Sequence, residues 1–393
     1  MTTKILSRDA SARRQREAPD SASKQPASPQ LGRAITIAVV AAAIVSLILL
    51  AFSWPSVTSD PEDLPVAAVG DQEQIDKITD HAPEGMLDVH RVDSRQEAVQ
   101  LIREREVYGA FVVDKDDPEI LTAEAASTAV AQQLSTIGST MQQKIDDQVI
   151  SGLQEGTEKM QKQMEKAVTA AAGRAPSQAD GAGEDAGADA SAMEVPQVKI
   201  TEVVPLSDDD PSGAGLAIAG LPLTIGGIVG GVLTSMGIRS RRMRAVGTLV
   251  YGAVGGVALG LIMQTWFGIL QGDFGLNALA IGLSIAATAG LINGFVSLIG
   301  PAGIGIGAVL TMFIGNPIAS LNQPKEFLVG AWGDIGQFFV PGAAGTLLRD
   351  LSYFPDAAVG LQWWVLIAWF VVGIALILIG HLIAHRRTTT SAH

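Results

Sequence analysis

Long apolar stretches without charged side chains constrain this chain more than any other feature. A helix that crosses the hydrocarbon core of a bilayer needs about 20 apolar residues. Stretches of that kind occur at 34–54, 216–238, 245–270, 276–299, 302–321 and 361–383. The sequence therefore predicts a polytopic α-helical membrane protein with six transmembrane helices, and it excludes a single soluble globule.

Charge is distributed unevenly among the polar parts of the chain. Residues 1–33 contain 7 Lys and Arg against 3 Asp and Glu, residues 54–212 contain 12 against 32, and residues 213–393 contain 8 against 5. The formal net charge of -13 therefore belongs almost entirely to the segment 54–212. Because such an acidic segment repels phosphate, we expect no nucleic-acid partner.

Lys and Arg near the ends of membrane helices indicate the cytoplasmic side. With the N terminus inside, the inner segments hold the basic tail, the loop between the second and third spans, and Arg386 and Arg387. The short outer loops then hold only Lys325 and Arg349. We expect a multi-pass protein of the cell (plasma) membrane, with both termini cytoplasmic and residues 55–212 extracytoplasmic. A cleaved signal peptide is the competing interpretation of the first span, which is longer than the usual apolar core of about 7–15 residues.

Between the first two apolar stretches the pattern changes to that of an inserted α/β domain. Strands are predicted at 64–69, 87–92, 108–113, 118–124 and 197–206, with helices at 72–81 and from the capping residue Ser94 to about Arg105. Because strands alternate with helices, parallel pairing is favoured. From Ala126, apolar residues at intervals of three or four predict a long amphipathic helix of about 45 residues, with Gly152 and Gly156 as candidate break points.

The sequence thus divides into five segments. They are a disordered basic cytoplasmic tail at 1–33, the first transmembrane helix at 34–54, the extracytoplasmic α/β domain at 55–212 with an acidic, low-complexity loop at 173–194, a five-helix transmembrane domain at 213–385, and a cytoplasmic tail at 386–393.

Common signatures of catalysis and cofactor binding do not occur in the sequence. There is no cysteine, no G-x-x-x-x-G-K-[ST] phosphate loop, no H-E-x-x-H and no G-x-S-x-G. A calcium loop that begins at Asp114 would need Gly at its sixth position and Glu at its twelfth, where the chain has Glu119 and Ala125. We therefore expect no enzymatic activity of the chain itself, no cofactor and no metal site.

Small residues are concentrated in the apolar stretches. Of the 43 glycines, 32 follow residue 212, and pairs spaced by four recur, among them Gly226 and Gly230, Gly252 and Gly256, and Gly303 and Gly307. Such pairs let helix backbones approach closely, which predicts a tightly packed bundle and a helix-helix dimer contact. Asn293 is the lone amide in the middle of the fourth span. It either forms an interhelical hydrogen bond or contacts a substrate.

The segment 322–360 is too apolar for a solvent-exposed loop. Its pattern predicts short helices that dip into the outer membrane interface, interrupted at Pro341 and Gly342. Irregular backbone at that depth has to be buried in protein or line a wet cavity. The sequence therefore predicts a re-entrant outer gate or vestibule.

Three motifs connect this layout with a known family. DLPVAAVGDQEQ follows the first span, SRQEAVQLIREREVYGAFVVDKD precedes the long helix, and GNPIAS with PGAAGTLLRDLSYF precedes the last span. In these motifs the chain resembles the ATP-binding-cassette exporter permeases of the second type (ABC-2 type), particularly the branch related to the phage-infection protein.

The resemblance implies a membrane-spanning permease subunit of an ABC-type exporter. Such a subunit lies in the lipid bilayer and moves a substrate, here amphipathic or envelope-related, with a separate cytoplasmic ATPase, as a homodimer or paired with a similar permease. Arg239, Arg241, Arg242 and Arg244 occupy the position of the coupling loop, although they also suit a purely topological role. Trp332, Phe338, Pro341, Gly342 and Arg349 would belong to the outer gate. The alternative is a non-transporting envelope scaffold or receptor that acts through the extracytoplasmic domain.

Overall fold

The computed structural model describes residues 29–59, 61–79, 85–113, 118–172 and 196–390. The chain divides into two compact units, Met1–Leu50 and Ala51–His393. The predictions for residues 1–28 of the tail, for 114–117 and for the acidic loop at 173–194 concern residues outside the described ranges.

Helix α1, Pro29–Val57, occupies the position of the first predicted span. It begins within the tail that was predicted to be disordered up to residue 33, and it continues past Pro55. The first unit, as far as it is described, consists of residues 29–50 of this helix. Its passage through a membrane stays a prediction.

The α/β domain is built on a five-stranded sheet in the order β2-β1-β3-β4-β5. Its strands are β1 (Leu64–Val69), β2 (Leu87–Arg91), β3 (Gly109–Val112), β4 (Glu119–Thr122) and β5 (Lys199–Glu202). The predicted strands are all present, although most are shorter than predicted. Pairing is parallel except between β3 and β4. The prediction of parallel pairing is wrong for that pair, because the short connection between its strands leaves no room for a crossover.

Helix α3 (Arg95–Arg103) packs on β1 and β3 of this sheet, and helix α2 (Gln72–Thr79) follows β1 along the chain. The predicted cap of α3 is confirmed: the Ser94 hydroxyl accepts from the Glu97 N–H at 3.2 Å. The Glu97 carboxylate accepts in return from the Asp93 N–H at 3.1 Å, one residue before the usual capping-box partner.

Helix α4, Thr128–Ala172, is 45 residues long and uninterrupted. Gly152 and Gly156 do not break it, and among the described residues no side chain packs on either glycine. Only the beginning of α4 packs on the sheet, where Val130 and Leu134 are buried. From residue 150 onwards its large apolar side chains Leu153, Met160, Met164 and Val168 are exposed, as is Ile150, and Met164 is 60% exposed.

Four helices of the described chain are long and apolar enough to cross a membrane. They are α5 (Ala214–Gly237), α6 (Arg241–Gly260) with its continuation in a π-helical turn (Leu261–Trp266), α7 (Phe274–Ile299), and α11 (Gly360–Thr390). Their length and composition agree with a polytopic membrane protein.

The fifth predicted span is shorter than expected. Helix α8 (Ala302–Ala308) continues into a π-helical turn (Val309–Gly315), and Pro317, which has no N–H to donate, follows. At 1.5 Å per residue this apolar helix is about 21 Å long, against about 30 Å for a hydrocarbon core. The count of six spans is therefore not confirmed.

Helix α7 lies at the centre of the bundle. Of its apolar stretch 78% is buried, against 22–33% in the other three long helices. A Cβ added to Gly256 of α6 would lie 2.3 Å from the Ala278 carbonyl oxygen of α7, and one on Gly373 of α11 would lie 2.5 Å from the Gly290 carbonyl carbon. The small residues are thus used for close packing within one chain.

The predicted re-entrant segment contains a 3₁₀ turn (Lys325–Phe327) and two helices, α9 (Trp332–Gln337) and α10 (Val340–Tyr353). The predicted interruption at Pro341 and Gly342 is wrong by a few residues. The chain breaks at Phe338 and Phe339, and Pro341 lies in the first turn of α10, where a missing N–H costs nothing.

Candidate functional site

The α/β domain completes its buried core with side chains from the segment between α8 and α11. Phe327 and Phe354 are 7% and 1% exposed and belong to the same cluster as Ile102 and Leu121 of the domain. We call the contact region between residues 64–128 and residues 320–357 the joint. Because burial of apolar surface is the main favourable term in folding, this shared core packs the segment that contains α10 against the α/β domain.

A buried ion pair lies inside the joint. The Arg105 guanidinium donates to the Asp350 carboxylate of α10 and lies 5.7 Å from the centroid of the Phe354 ring. The side chain of Asp350 is 4% exposed and that of Arg105 is 16% exposed. Arg105 has a positive φ of 58°, which L-residues rarely adopt. Since a buried charge is costly without a partner, we expect replacement of either Arg105 or Asp350 alone to destabilise the fold.

A second polar contact crosses the joint beside this pair. The Tyr108 hydroxyl donates to the Glu326 carboxylate at 2.9 Å. Burial, together with the negative charge of Glu326, raises the pKa of Tyr108, so that its hydroxyl stays a donor at neutral pH. Lys325 lies 3.8 Å from Glu326 and 2.7 Å from Asp334. The charges at this edge therefore compensate one another.

Arg349 of α10 connects two other parts of the joint. Its Nη1 donates to the Ala126 carbonyl at 3.3 Å, just before α4, and its Nη2 donates to the Leu321 carbonyl at 3.0 Å. Burial lowers the pKa of Arg349 to about 10, and the nearby charge of Arg105 contributes. Arg349 thus remains a cation at neutral pH.

Two cavities open at the joint. The larger has a volume of about 770 Å³ and is lined by Arg105, Tyr108, Glu326, Phe338 and Asp350, among others. The smaller has a volume of about 220 Å³ and is lined in part by Arg349, Ser127 and Asn322. Cavities of this size at a contact between two parts of a protein are common places for ligands.

The structure places the five predicted gate residues in three different surroundings. Phe338 and Arg349 line the larger and the smaller cavity, respectively. Trp332 packs edge to face against Trp54, with ring centroids 6.3 Å apart. Pro341 and Gly342 are buried in the first turn of α10, and a Cβ on Gly342 would lie 2.2 Å from the Gly336 carbonyl oxygen. Their role in a gate stays a prediction.

The predicted coupling loop lies far from the joint. Arg239 precedes α6 and Arg241, Arg242 and Arg244 lie in its first turn. The Arg244 Nε donates to the Ile238 carbonyl at 2.7 Å, whereas Arg239 and Arg242 are exposed. Because α5 joins this loop to the joint and has 24 residues, the two lie about 36 Å apart along its axis.

Asn293 holds three helices together. Its Nδ2 donates to the Thr234 hydroxyl of α5 at 2.7 Å and to the Thr248 hydroxyl of α6 at 3.1 Å. The Asn293 side chain is fully buried, and its Oδ1 has no hydrogen-bond partner in the described residues. This geometry favours the interhelical interpretation over the substrate contact, which stays untested.

Sequence reasoning missed most of the joint. Arg105 and Tyr108 lie in the polar end of a helix and the start of a strand, and nothing nearby distinguishes them. A signal was nevertheless present on the other side: of the acidic residues after position 212, only Asp273 lies outside 326–356, whereas the others are Glu326, Asp334, Asp350 and Asp356. Carboxylates confined to one segment of a membrane domain indicate a polar contact there.

Comparison with known proteins gives one match. Residues 33–182 match a family model described as "ABC-2 family transporter protein". No curated protein and no solved structure matches the chain. The match covers most of α1 and most of the α/β domain. It supports a relationship to the ABC-2 type permease family, and it does not distinguish the branch related to the phage-infection protein.

Proposed function

We propose that this chain, whose residues 33–182 match the model of the ABC-2 family transporter proteins, is the membrane subunit of an exporter that a separate cytoplasmic ATPase drives. The family match supports a permease, and the family implies both the membrane and the ATPase partner. Export, an amphipathic or envelope-related substrate, and pairing with a second copy or a similar permease are our proposals. So is the absence of enzymatic activity in the chain itself, which the lack of a phosphate-binding loop in the sequence supports.

The observation that most supports this function is the path of α5. At one end α5 meets the arginine loop, and at the other its residues Leu216 and Leu223 pack in one buried cluster with Ala344 and Leu347 of α10. We propose that an ATPase bound at the arginine loop displaces α5 and that α5 displaces α10. Packed side chains transmit such a shift because a close-packed interior has little free volume.

Segment 322–360 is then the outer gate. Helix α10 contacts α5, α7 and α11 and also closes the core of the α/β domain. A displacement of α10 would therefore change the cavity of about 770 Å³ at the joint. In this proposal residues 55–212 are extracytoplasmic, and both termini are cytoplasmic.

A scaffold or receptor is the second candidate, and one observation favours it. The second half of α4 exposes Ile150, Leu153, Met160, Met164 and Val168, and the helix is about 68 Å long at 1.5 Å per residue. Apolar side chains that stay exposed along a helix are typical of a surface that binds another protein. In this alternative no ATPase is needed.

The decisive experiment is co-purification of the full-length chain in mild detergent, followed by an assay of ATP hydrolysis. We expect an ATPase to co-purify with the wild-type chain and to be lost when Arg239, Arg241, Arg242 and Arg244 are all replaced by Ala. The matched control replaces the same four residues by Lys, which keeps their charge and hence the orientation signal. Labelling of introduced cysteines from outside the cell verifies that each variant keeps its orientation.

Two results would count against the permease. If the Ala variant retains the ATPase, the four arginines do not couple this chain to the ATPase. If no ATP hydrolysis co-purifies with the wild-type chain, the scaffold is favoured. Replacing Met160 and Met164 by Ser should then abolish the binding of another surface protein, whereas it should leave ATP hydrolysis unchanged in a permease.

A further inference from the structure

The smaller cavity of the joint, of about 220 Å³, has no assigned role. It is enclosed by three parts of the chain: the beginning of α4, the beginning of α5, and the start of the segment 322–360 with Arg349 of α10. Its volume is many times the roughly 10–15 Å³ that one water molecule requires. The cavity therefore has room for a small polar group together with water.

Arg349 provides the cavity with a positive charge that no carboxylate neutralises directly. Its hydrogen bonds in the described structure go to two carbonyl oxygens, and it forms no ion pair there. The neighbouring Asp350 is already paired with Arg105. A guanidinium has five N–H donors, so three remain for a ligand. An enclosed cation of this kind is stabilised by an anion.

The rest of the lining suits an oxyanion. Ser127, Asn322 and Gln323 supply hydroxyl and amide groups that can donate hydrogen bonds. The beginning of α4 lies in the same wall, and the dipole of a long helix adds positive potential at that end. The lining also contains a carboxylate, Glu124, whose residue is exposed and which forms no ion pair with Arg349 in the described chain.

The position of the cavity indicates where such an anion comes from. Ala214, Leu216 and Ala217 in its lining belong to the first turn of α5, a helix long and apolar enough to span a membrane. The end of a span lies at the level of the lipid headgroups. We propose that this cavity is a binding site for a phosphate oxyanion held by Arg349, with a phospholipid headgroup as its source. The proposal does not depend on transport by this chain.

The test measures thermal unfolding of the purified full-length chain in detergent, with phosphatidylglycerol, inorganic phosphate or diacylglycerol added. We expect the melting temperature to rise with the phosphatidylglycerol concentration and to reach a plateau. Diacylglycerol, which lacks the phosphate, should have no such effect. Saturating stabilisation by inorganic phosphate alone would support the oxyanion site but assign it to the free ion. Equal stabilisation by diacylglycerol, or none by either phosphate compound, would overturn the proposal.

A matched pair of variants locates the site. Asn322→Asp is nearly isosteric and places a negative charge in the cavity without touching Arg349 or the carbonyl groups that it binds. We expect the apparent Kd for phosphatidylglycerol to rise at least tenfold. Asn316→Asp, which makes the same change outside this cavity, should leave the Kd within twofold of the wild type. An unchanged Kd in Asn322→Asp, or an equal rise in both variants, would place the lipid elsewhere.

Where Asn322→Asp fails to fold, Arg349→Lys serves instead. Lysine keeps the charge but loses the fork of donors, so we expect the Kd for phosphatidylglycerol to rise severalfold. The same Kd in Arg349→Lys and in the wild type would remove Arg349 from the site.

Discussion

The membrane helices and the joint are held together in opposite ways. In the bundle, α6 and α11 approach α7 so closely that a Cβ at Gly256 or Gly373 would meet backbone atoms. In the joint, large side chains and buried charges make the contact, with Arg105 and Asp350 at its centre. Lipid is as apolar as leucine, so helices in a bilayer gain from close backbone packing and not from removal of apolar surface from water.

This difference indicates which of the two contacts, the helix packing or the joint, can rearrange. Backbone packing through glycines has one closely fitting arrangement, whereas a joint made of ion pairs and lined by two cavities has polar groups that water or a ligand can satisfy. We therefore expect α6, α7 and α11 to move as one rigid body and the joint to be the adjustable contact.

The largest expected effect is at the joint. Asp350→Ala leaves the Arg105 charge buried without its partner, which should cost about 3–5 kcal/mol of unfolding free energy. The double variant Arg105→Met/Asp350→Leu should recover most of that loss, because it removes both charges. The measurement is urea unfolding of the detergent-purified chain, followed by circular dichroism.

The control for this prediction is Glu158→Ala, which breaks an exposed ion pair with Lys162 on α4. Exposed pairs on a helix contribute about 0.5 kcal/mol or less, so little change is expected. If Asp350→Ala costs no more than Glu158→Ala, the ion pair does not hold the joint.

The next largest effect is expected in the bundle. In Gly256→Val the new Cβ lies 2.3 Å from the Ala278 carbonyl oxygen and 2.8 Å from the Gly282 Cα, so α6 and α7 have to separate. Overpacking of this kind costs about 1–3 kcal/mol or more. The midpoint of heat-induced aggregation in detergent, measured by size-exclusion chromatography, should fall.

Gly152→Ala is the matched control, because a Cβ there meets nothing within 4 Å. In a helix interior alanine is favoured over glycine by about 1 kcal/mol, so this variant should be neutral or more stable. A wild-type midpoint for Gly256→Val would show that the helices are not packed through glycine.

The smallest expected effect is a pH dependence confined to the α/β domain. Hydrogen bonds from Arg95, at 2.5 and 3.0 Å, hold the pKa of Glu119 at about 2, with Thr201 contributing. Because the folded pKa is depressed, the stabilisation is present above the ordinary glutamate pKa of about 4.5 and is lost as pH falls towards 2. In Arg95→Gln the pKa of Glu119 should lie closer to its ordinary value, so the loss of folding stability on acidification should begin at higher pH.

A pH titration by circular dichroism between pH 2 and 6 measures this shift. Arg91→Gln is the control, because its ion pair with Asp76 is half exposed and should contribute little. The membrane helices should respond little, since Asp273 is the one acidic residue in 213–325 and no acidic residue follows Asp356 in the sequence. Identical acid transitions in Arg95→Gln and the wild type would exclude a structural role for the pair.

Local patterns predicted the elements of this fold well. Ser94 with Glu97 marked the start of α3, and the spacing from Val130 onwards marked α4, because both signals depend on residues within a few positions of one another. Predictions that needed tertiary information failed or stayed open. The antiparallel pairing of β3 with β4 and the short helix at 302–315 both depend on what neighbouring segments leave room for.

The candidate site was predictable only in part. The family resemblance implied a gate role for Arg349, and the structure places this residue beside a cavity. Its contact with Ala126 and the pairing of Arg105 with Asp350 join residues more than 200 positions apart. No pattern along a single sequence specifies such a pair.

The sequence alone determined an acidic segment with an α/β pattern and a glycine-rich apolar half that is typical of membrane proteins. Those properties follow from composition and from hydrophobic period, which act locally along the chain. Only the tertiary structure decided that glycines such as Gly256 and Gly373 face α7 and that the few carboxylates after residue 212 gather largely near the α/β domain. The reason is physical. A buried charge needs an opposite charge beside it, and a glycine in a helix allows close packing only where another backbone lies against it, and the tertiary structure decides which residues meet.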